Sequence, residues 1–305
     1  MLITVFSQVM ILMLMIAVGF IAAKTKIMTA EGARCCTDIA LIIATPCVII
    51  KSLIREYSKQ TMKSLAFAFL ITLSVQVLMI LLSYLILHSK DKARERVLRF
   101  GTIFANCGFM SLPLQQVILG DDGTLYGSAY VIMFNFVAWS FGVFLISGDR
   151  KQISPKKLFV NPGLIGLAIG LVIFIFSIPI PKILYSAIDY MSALYTPLPM
   201  LIIGYHLAQN NLLTAFKDFK CLFAVFLRMI VYPLAVLGFL YILGIRGTLL
   251  VSVVISVSAP VAAFTTMFSS KYGADTPLSV NMVSLSTVAA AVTLPLVITL
   301  AQLLA

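Results

Sequence analysis

Two stretches of this sequence, Asn106-Cys-Gly-Phe-Met-Ser-Leu-Pro113 and Ser256-Val-Ser-Ala-Pro260, decide the fold that it predicts. Each places a proline deep inside an apolar segment of membrane-spanning length, at comparable positions in the two halves of the chain. A proline in a helix removes a backbone donor and displaces the carbonyl one turn back, which exposes peptide groups where a bilayer offers no water. Such groups are tolerated mainly where they line a protected cavity, so we expect Pro113 and Pro260 to break their helices around an internal site.

The composition places the chain in a bilayer. Hydrophobic residues make up 61% of the sequence and charged residues only 11%, and the mean hydropathy is +1.07. A spanning helix needs roughly 20 apolar residues, and the sequence contains about ten such stretches. They are residues 2–23, 32–54, 63–87, 99–119, 124–147, 160–178, 183–208, 217–242, 248–270 and 277–304.

The two halves of the chain carry similar landmarks in the same order. Residues 38–46 and residues 189–197 each contain an aspartate followed seven and eight residues later by Thr-Pro. We therefore predict two five-span repeats, residues 1–148 and 158–305, joined by a short connection. Because five is odd, the second repeat enters the membrane from the opposite side. Broken helices in inverted repeats are typical of secondary transporters.

The basic residues predict an orientation. Fifteen of the 22 Lys and Arg residues fall in the connections on one side, six fall on the other side, and Arg228 lies inside a span. By the positive-inside rule, both termini are expected outside a plasma or inner cell membrane. The cluster from Lys51 to Lys63 argues against this orientation. The basic run from Lys90 to Arg99 is interpreted as a topology signal facing anionic lipid, and despite the net charge of +11 no nucleic-acid partner is expected.

Motifs for catalysis and metal binding are absent from the sequence. The five cysteines have no metal-ligand spacing, and the two histidines lie near helix ends. No zinc-protease, nucleophile-elbow or phosphate-loop motif occurs. We expect neither an enzyme nor a bound metal or cofactor, apart from coupling to protons or sodium.

Several segments resemble one known family, the auxin efflux carriers, which include the plant PIN carriers and bacterial permeases for malate or related organic acids. The resemblance covers essentially the whole chain, and the two proline stretches are its most specific part. The segments that carry it are residues 106–114, Trp139, Arg228-Met-Ile-Val-Tyr-Pro233, residues 259–275, Ser286-Thr287 and Leu294-Pro295.

The resemblance implies an all-α integral membrane fold of ten helices with crossed, broken helices 4 and 9. This fold is similar to that of sodium/bile-acid symporters and sodium/proton antiporters. Spans 1, 2, 6 and 7 are expected to form a scaffold, through which two copies form a homodimer. Spans 3 to 5 and 8 to 10 are expected to form the moving transport unit.

In the plant carriers, an asparagine just before the first crossover contacts the substrate carboxylate, and by motif position it corresponds to Asn106. The chain departs from the plant pattern in two ways. Ala105 replaces the proline usual before that asparagine in the plant carriers. The long cytosolic loop between the halves is missing.

The residues themselves also favour an anionic substrate. Two helix starts at a crossover present unpaired N–H groups and about half a positive charge each, which suits a carboxylate. Polar side chains add donors at plausible depth, with interhelical hydrogen bonding as the competing interpretation. The predicted substrate-binding residues are Asn106, Cys107, Gly108, Pro113, Gln116, Asn135, Ser258, Pro260, Asn281 and Ser284.

Three ionisable residues inside spans, Asp38, Asp189 and Arg228, are candidates for coupling or ion pairing, because charges are costly there. Both aspartates lie near span ends, where they can reach water. The sharper hypothesis is that Asp38 titrates or binds a cation during coupling. For Arg228 a structural ion pair with an acidic residue is predicted, with contact to an anion at the inner vestibule as the alternative.

The sequence thus predicts a secondary carrier of small organic anions that works by alternating access around the crossover. One alternative is a sodium- or proton-coupled dicarboxylate symporter. Two others come from different classes of protein: an anion channel, and a membrane sensor that binds an acid without moving it.

Overall fold

The computed structural model describes residues 2–154, 162–209 and 215–305. Within these residues all regular structure is helical, apart from one bridge between Ala105 and Val261. The α-helices are α1 (Leu2–Lys24), α2 (Ala30–Ile39), α3 (Thr45–Leu53), α4 (Lys59–Ile86), α5 (Lys92–Ile103), α6 (Leu112–Val137), α7 (Val143–Ser147), α8 (Pro162–Ile175), α9 (Lys182–Ala193), α10 (Pro197–Gln209), α11 (Phe219–Phe226), α12 (Tyr232–Ile242), α13 (Gly247–Ser258), α14 (Phe264–Lys271) and α15 (Thr276–Leu304).

Six helical stretches in the described part of the chain are long and apolar enough to cross a membrane. Two further apolar helices, α8 and α13, are shorter. The all-helical membrane class agrees with the sequence, whereas the ten-span count and the inverted repeats stay predictions. The predicted start of the second repeat at residue 158, and Lys156 and Lys157, lie outside the described residues. The six stretches are Ile3–Lys24, Ala30–Leu53, Lys59–Ile86, Cys107–Ser147, Phe219–Ile242 and Thr276–Leu304.

Three prolines occupy the second position of an α-helix that directly follows a wider, π-helical segment. In the wider turn the carbonyl that would clash with the proline ring is moved away, so the helix continues. The prediction that Pro113 breaks its helix is therefore wrong, because Pro113 lies in the first turn of α6 and the break comes earlier, at residues 104–106. The segments are Ala40–Ala44 before Pro46, Cys107–Ser111 before Pro113 and Leu227–Val231 before Pro233.

The long stretch Cys107–Ser147 is divided at Gly120. This glycine has φ 66° and ψ −149° inside the run assigned to α6. A positive φ favours glycine, because a side chain would clash with the backbone there. The acidic residues Asp121 and Asp122 follow this interruption directly.

Glycines bring the helices of the predicted scaffold into close contact. A Cβ atom on Gly19 of α1 would lie 2.3 Å from the carbonyl oxygen of Leu201 on α10, and one on Gly204 would lie 2.0 Å from that of Ile16. On α8, a Cβ atom on Gly166 would lie 2.8 Å from Pro46 Cα. Gly166 and Gly170, four residues apart on α8, thus both allow close packing against α3 within one chain.

An arginine ties together the starts of three helices in the predicted transport unit. The Arg94 guanidinium on α5 forms ion pairs with Asp218 and, at 3.7 Å, with Asp275. Asp218 accepts from Cys221 N–H at the start of α11, and Asp275 accepts from Leu278 N–H at the start of α15. Each carboxylate therefore caps a helix and binds Arg94 at once.

The close approach of α1 and α10 predicts that Gly204→Ala destabilises the protein by about 1–3 kcal/mol, because the added methyl group overlaps the Ile16 carbonyl. A lower melting temperature in detergent would report this. Gly238→Ala on α12 is the matched control, since no atom lies within 4 Å of its added Cβ. Equal melting temperatures for the two variants would contradict the packing described.

Candidate functional site

Two non-helical segments pair with each other in the interior. The first follows α5 at residues 104–106, and the second separates α13 from α14 at residues 259–263. Asn106 N–H donates to the carbonyl oxygen of Pro260 at 2.7 Å, and Ala262 N–H donates to that of Phe104 at 3.0 Å. The helix break predicted at Pro260 is present. The two interruptions satisfy part of each other's backbone, as a dry interior requires.

This pairing brings four helix ends together. α5 and α13 run toward the paired segments with their carbonyl ends, whereas the helices starting at Cys107 and Phe264 run away from them. Carbonyl ends carry partial negative charge, and amide ends carry partial positive charge. The site therefore has one pair of ends that attracts cations and one pair that attracts anions.

Arg228 occupies the negative side of this arrangement. Its side chain is fully buried, and the guanidinium donates to the carbonyl oxygens of Thr102 at 3.1 Å, Ala259 at 3.2 Å and Val257. Thr102 and Val257 lie in the last turns of α5 and α13, and Ala259 follows α13 directly. One cation thus serves both carbonyl ends, as favoured by the helix dipole.

The ion pair predicted for Arg228 is not formed. Among the described residues its hydrogen-bond acceptors are backbone carbonyls and, at 3.6 Å, the Met79 sulfur, with no carboxylate. The physical reason is that converging carbonyl ends supply the negative charge that a buried guanidinium requires. The sequence does not reveal this, because the two ends lie far from Arg228 along the chain.

At the amide ends, which carry partial positive charge, the Asn106 side chain is nearly buried and has no hydrogen-bond partner among the described residues. It is 8% exposed, and its amide forms no hydrogen bond with the described residues. Asn106 immediately precedes the helical turn that starts at Cys107, but its side chain does not cap that turn. The first N–H groups of a helix have no acceptor within it. A free amide and an uncapped helix start therefore coincide.

Small polar side chains fix the backbone around the paired segments. Ser286 Oγ accepts from Val261 N–H at 3.0 Å. The Gln115 amide donates to Ser256 Oγ at 2.8 Å and to the Ser252 carbonyl at 3.1 Å, which ties α6 to α13. Ser111 donates to the Ile255 carbonyl at 3.1 Å. These contacts hold the two broken helices in register.

Two adjacent cavities, an outer one and an inner one, lie near this region, and no residue of the segments 104–106 and 259–263 lines either of them. The outer one has a volume of about 410 Å³ and the inner one about 150 Å³. The inner cavity reaches Tyr195, whose hydroxyl would lie 2.8 Å from a Cβ added to Gly108. Only glycine therefore leaves room for Tyr195 beside the first helical turn. The outer lining includes Lys51, Ser52, Arg55, Asp121, Asp122 and Tyr185, and the inner lining includes Lys51, Pro113, Gln116, Asp189, Ser192 and Tyr195.

The predicted substrate-binding residues fall into three groups. Asn106, Cys107, Gly108 and Pro260 lie at the paired segments, and Pro113 and Gln116 line the inner cavity. Asn135 donates to the Val131 carbonyl at 2.8 Å and Ser258 to the Val254 carbonyl at 2.7 Å, both within their own helices. Asn281 and Ser284 lie on α15 and line neither cavity. Roles for all ten in binding stay predictions.

The two aspartates differ in their surroundings. Asp189 Oδ1 lies 2.5 Å from Lys51 Nζ at the edge of the inner cavity. Asp38 is exposed on α2 and forms no ion pair within the described residues. A coupling role for Asp38 stays a prediction.

Sequence reasoning missed Lys51 and Tyr195 as residues of the cavity. For Lys51 a signal existed, because the Lys51–Lys63 cluster was the one connection at odds with the predicted orientation. For Tyr195 no signal existed, since its position depends on how α9 and α10 pack against the first helical turn after Asn106.

Comparison with known proteins identifies the family. A family model described as a membrane transport protein matches residues 4–298. The chain belongs to this family. Its resemblance to the auxin efflux carriers is thereby confirmed.

Two relatives match over nearly their whole length, and both are described as uncharacterised transporters. One, from Methanothermobacter thermautotrophicus, is 23% identical over 294 residues, covering 95% of this chain and 96% of the relative. The other, from Methanocaldococcus jannaschii, is 25% identical over 293 residues, covering 92% and 93%. The chain is a multi-pass membrane protein of a transporter family, which supports the expectation that it is not an enzyme.

The contacts of Arg228 predict that Arg228→Met lowers stability by about 3 kcal/mol, because several buried carbonyls lose their donor together. The melting temperature in detergent would measure this loss. Arg246→Met is the matched control: Arg246 also donates to two carbonyls but at an exposed position, and it should change stability by about 0.5 kcal/mol at most. An Arg228→Met protein as stable as the unsubstituted one would contradict the proposed role.

Proposed function

We propose that the protein is a secondary carrier of small organic anions, with the substrate carboxylate held at the helix start that follows Asn106. The observation that carries this proposal is the coincidence of a free, nearly buried Asn106 amide with an uncapped helix start. N–H groups at a helix start bind anions without a charged partner. The amide adds one neutral donor.

The distribution of charge at the paired segments supports an anion over a cation. Arg228 satisfies the carbonyl ends of α5 and α13, so the ends that would attract a cation already have one. The amide ends at Cys107 and Phe264 have no side-chain cap. The uncompensated partial charge at the site is therefore positive.

The same contacts favour an uncoupled carrier over the sodium-coupled dicarboxylate symporter, which stays the alternative. A bound sodium ion requires oxygen ligands, and the nearby carbonyl oxygens of Thr102, Val257 and Ala259 already accept hydrogen bonds from Arg228. Asp38, the residue predicted to couple, is exposed. Proton coupling through Asp38 would make the flux depend on pH, and Asp38→Asn would remove this pH dependence.

The position of the cavities supports alternating access. The inner cavity is lined by α3 and α9, which belong to the predicted scaffold, and by α6, which belongs to the predicted transport unit. A site between two such units opens to either side when one unit moves. We propose that spans 1, 2, 6 and 7 form the scaffold and the homodimer contact. We further propose that both termini lie outside a cell membrane and the cavities open on that face.

The test is flux in vesicles reconstituted with the purified protein. Labelled malate, an indole carboxylate and a monocarboxylate are offered separately, with and without sodium and a pH gradient. A carrier predicts saturable uptake and acceleration by unlabelled anion on the opposite side. Non-saturating conductance without counterflow would favour an anion channel, and binding without flux would favour a sensor.

Asn106→Asp provides the site-specific prediction. The substitution preserves shape, and the Asn106 amide has no described partner to lose, but the carboxylate repels an anion. Saturable flux should fall at least about tenfold, the equivalent of one charge-assisted hydrogen bond. Unchanged flux in Asn106→Asp, with the protein folded, would contradict the proposed site.

A further inference from the structure

Lys51 is placed to meet an anion on its way to the site. Of the described residues, it is the one cation that lines both the outer and the inner cavity. It lies on α3, half-buried, with 32% of its side chain exposed. An anion entering through the outer cavity therefore passes the Lys51 ammonium before it reaches Tyr195.

The Lys51 ammonium is held by one contact. Its ion pair with Asp189, 2.5 Å long, is the single bond to its Nζ atom among the described residues. An ammonium has three donors, so two are left for a ligand. The Asp189 carboxylate is 44% exposed, and a pair this open to water contributes only about 0–1 kcal/mol. A carboxylate in solution can therefore replace Asp189 at little cost.

The neighbouring cation, Arg55, is bound differently. Its guanidinium donates to the Asp122 carboxylate at 2.7 Å and to the carbonyls of Asp121 and Ser52, each at 3.1 Å. With three oxygen partners, it remains held by two carbonyls if the carboxylate leaves. Arg55 lines only the outer cavity. It thus provides a natural comparison for Lys51.

The ion pair of Lys51 does not connect the predicted scaffold to the predicted transport unit. Lys51 belongs to the second predicted span and Asp189 to the seventh, and both spans are assigned to the scaffold. The transport unit can therefore move without breaking this bond. An anion that binds Lys51 can displace Asp189 without any movement of the transport unit.

We propose that Lys51 is a docking site for the carboxylate of the transported anion, and that Asp189 is a built-in competitor that occupies Lys51 when no anion is present. This inference rests on the proposed function, because it adds an entry site to the path toward Asn106. It also assigns a role to the positive cluster from Lys51 to Lys63, which the orientation rule leaves unexplained.

The proposal predicts opposite effects for the two partners of one ion pair. Lys51→Gln removes the docking cation, so the KM for malate uptake should rise about two- to fivefold, the range of one exposed ion pair. Asp189→Asn removes the competitor, so the KM should fall by a similar factor. Both effects should shrink at high salt, because screening weakens exposed charges.

The double variant Lys51→Gln/Asp189→Asn separates this role from a structural ion pair. With no cation to compete for, it should behave like Lys51→Gln. A structural pair would instead give equal losses in both single variants, with rescue in the double one. Asp122→Asn is the matched control: it also removes a carboxylate from the cavity mouth, but it should leave the KM within about twofold because Arg55 stays bound to two carbonyls.

A binding measurement distinguishes failure of this inference from failure of the proposed function. Malate is titrated against the melting temperature of each purified variant, with sodium sulfate at matched ionic strength as the control. Stabilisation shifted to lower malate in Asp189→Asn and to higher malate in Lys51→Gln supports docking, even if no variant transports. Transport with equal losses, or no change, in the two single variants would overturn docking and leave the carrier proposal standing.

Discussion

The fold depends on one buried guanidinium that binds two carbonyl helix ends. Without Arg228, α5 and α13 would bring two partial negative charges together in a dry interior. With Arg228 in place, the two carbonyl ends have hydrogen-bond donors. The chain then tolerates two helix interruptions, because backbone groups pair between Asn106 and Pro260 and between Phe104 and Ala262. The two amide ends then carry the partial positive charge that no described group in the site compensates. That asymmetry is the physical basis on which we propose an anion carrier.

The surroundings of these ends divide into rigid and exchangeable contacts. Gln115 and Ser286 hold the broken helices through buried hydrogen bonds, which suits a unit that moves as one body. At the cavity mouth the bond between Lys51 and Asp189 is single and exposed. An anion path needs both kinds of contact, because the binding geometry must persist while the entrance exchanges partners with water.

The sequence predicted those features that follow from local composition. The membrane class follows from the apolar stretches, the break at Pro260 from its position in a span, and the family from motifs around residues 106–114 and 259–275. The sequence placed the first helix break wrongly at Pro113, because the π-helical turn before Pro113 accommodates the proline ring and the helix continues. It also assigned Arg228 an acidic partner. Both errors concern the positions of backbone carbonyl groups. Because every residue has a carbonyl group, the residue types in a sequence do not show where carbonyl groups converge.

An experimental structure of the protein saturated with an anion that it transports tests the proposed binding site directly. We expect the anion's carboxylate within about 3 Å of the Asn106 amide nitrogen and of the first N–H groups of the turn that starts at Cys107, with Arg228 still bound to the carbonyls of α5 and α13. A carboxylate bound directly to the Arg228 guanidinium, or anion density away from the paired segments, would contradict it.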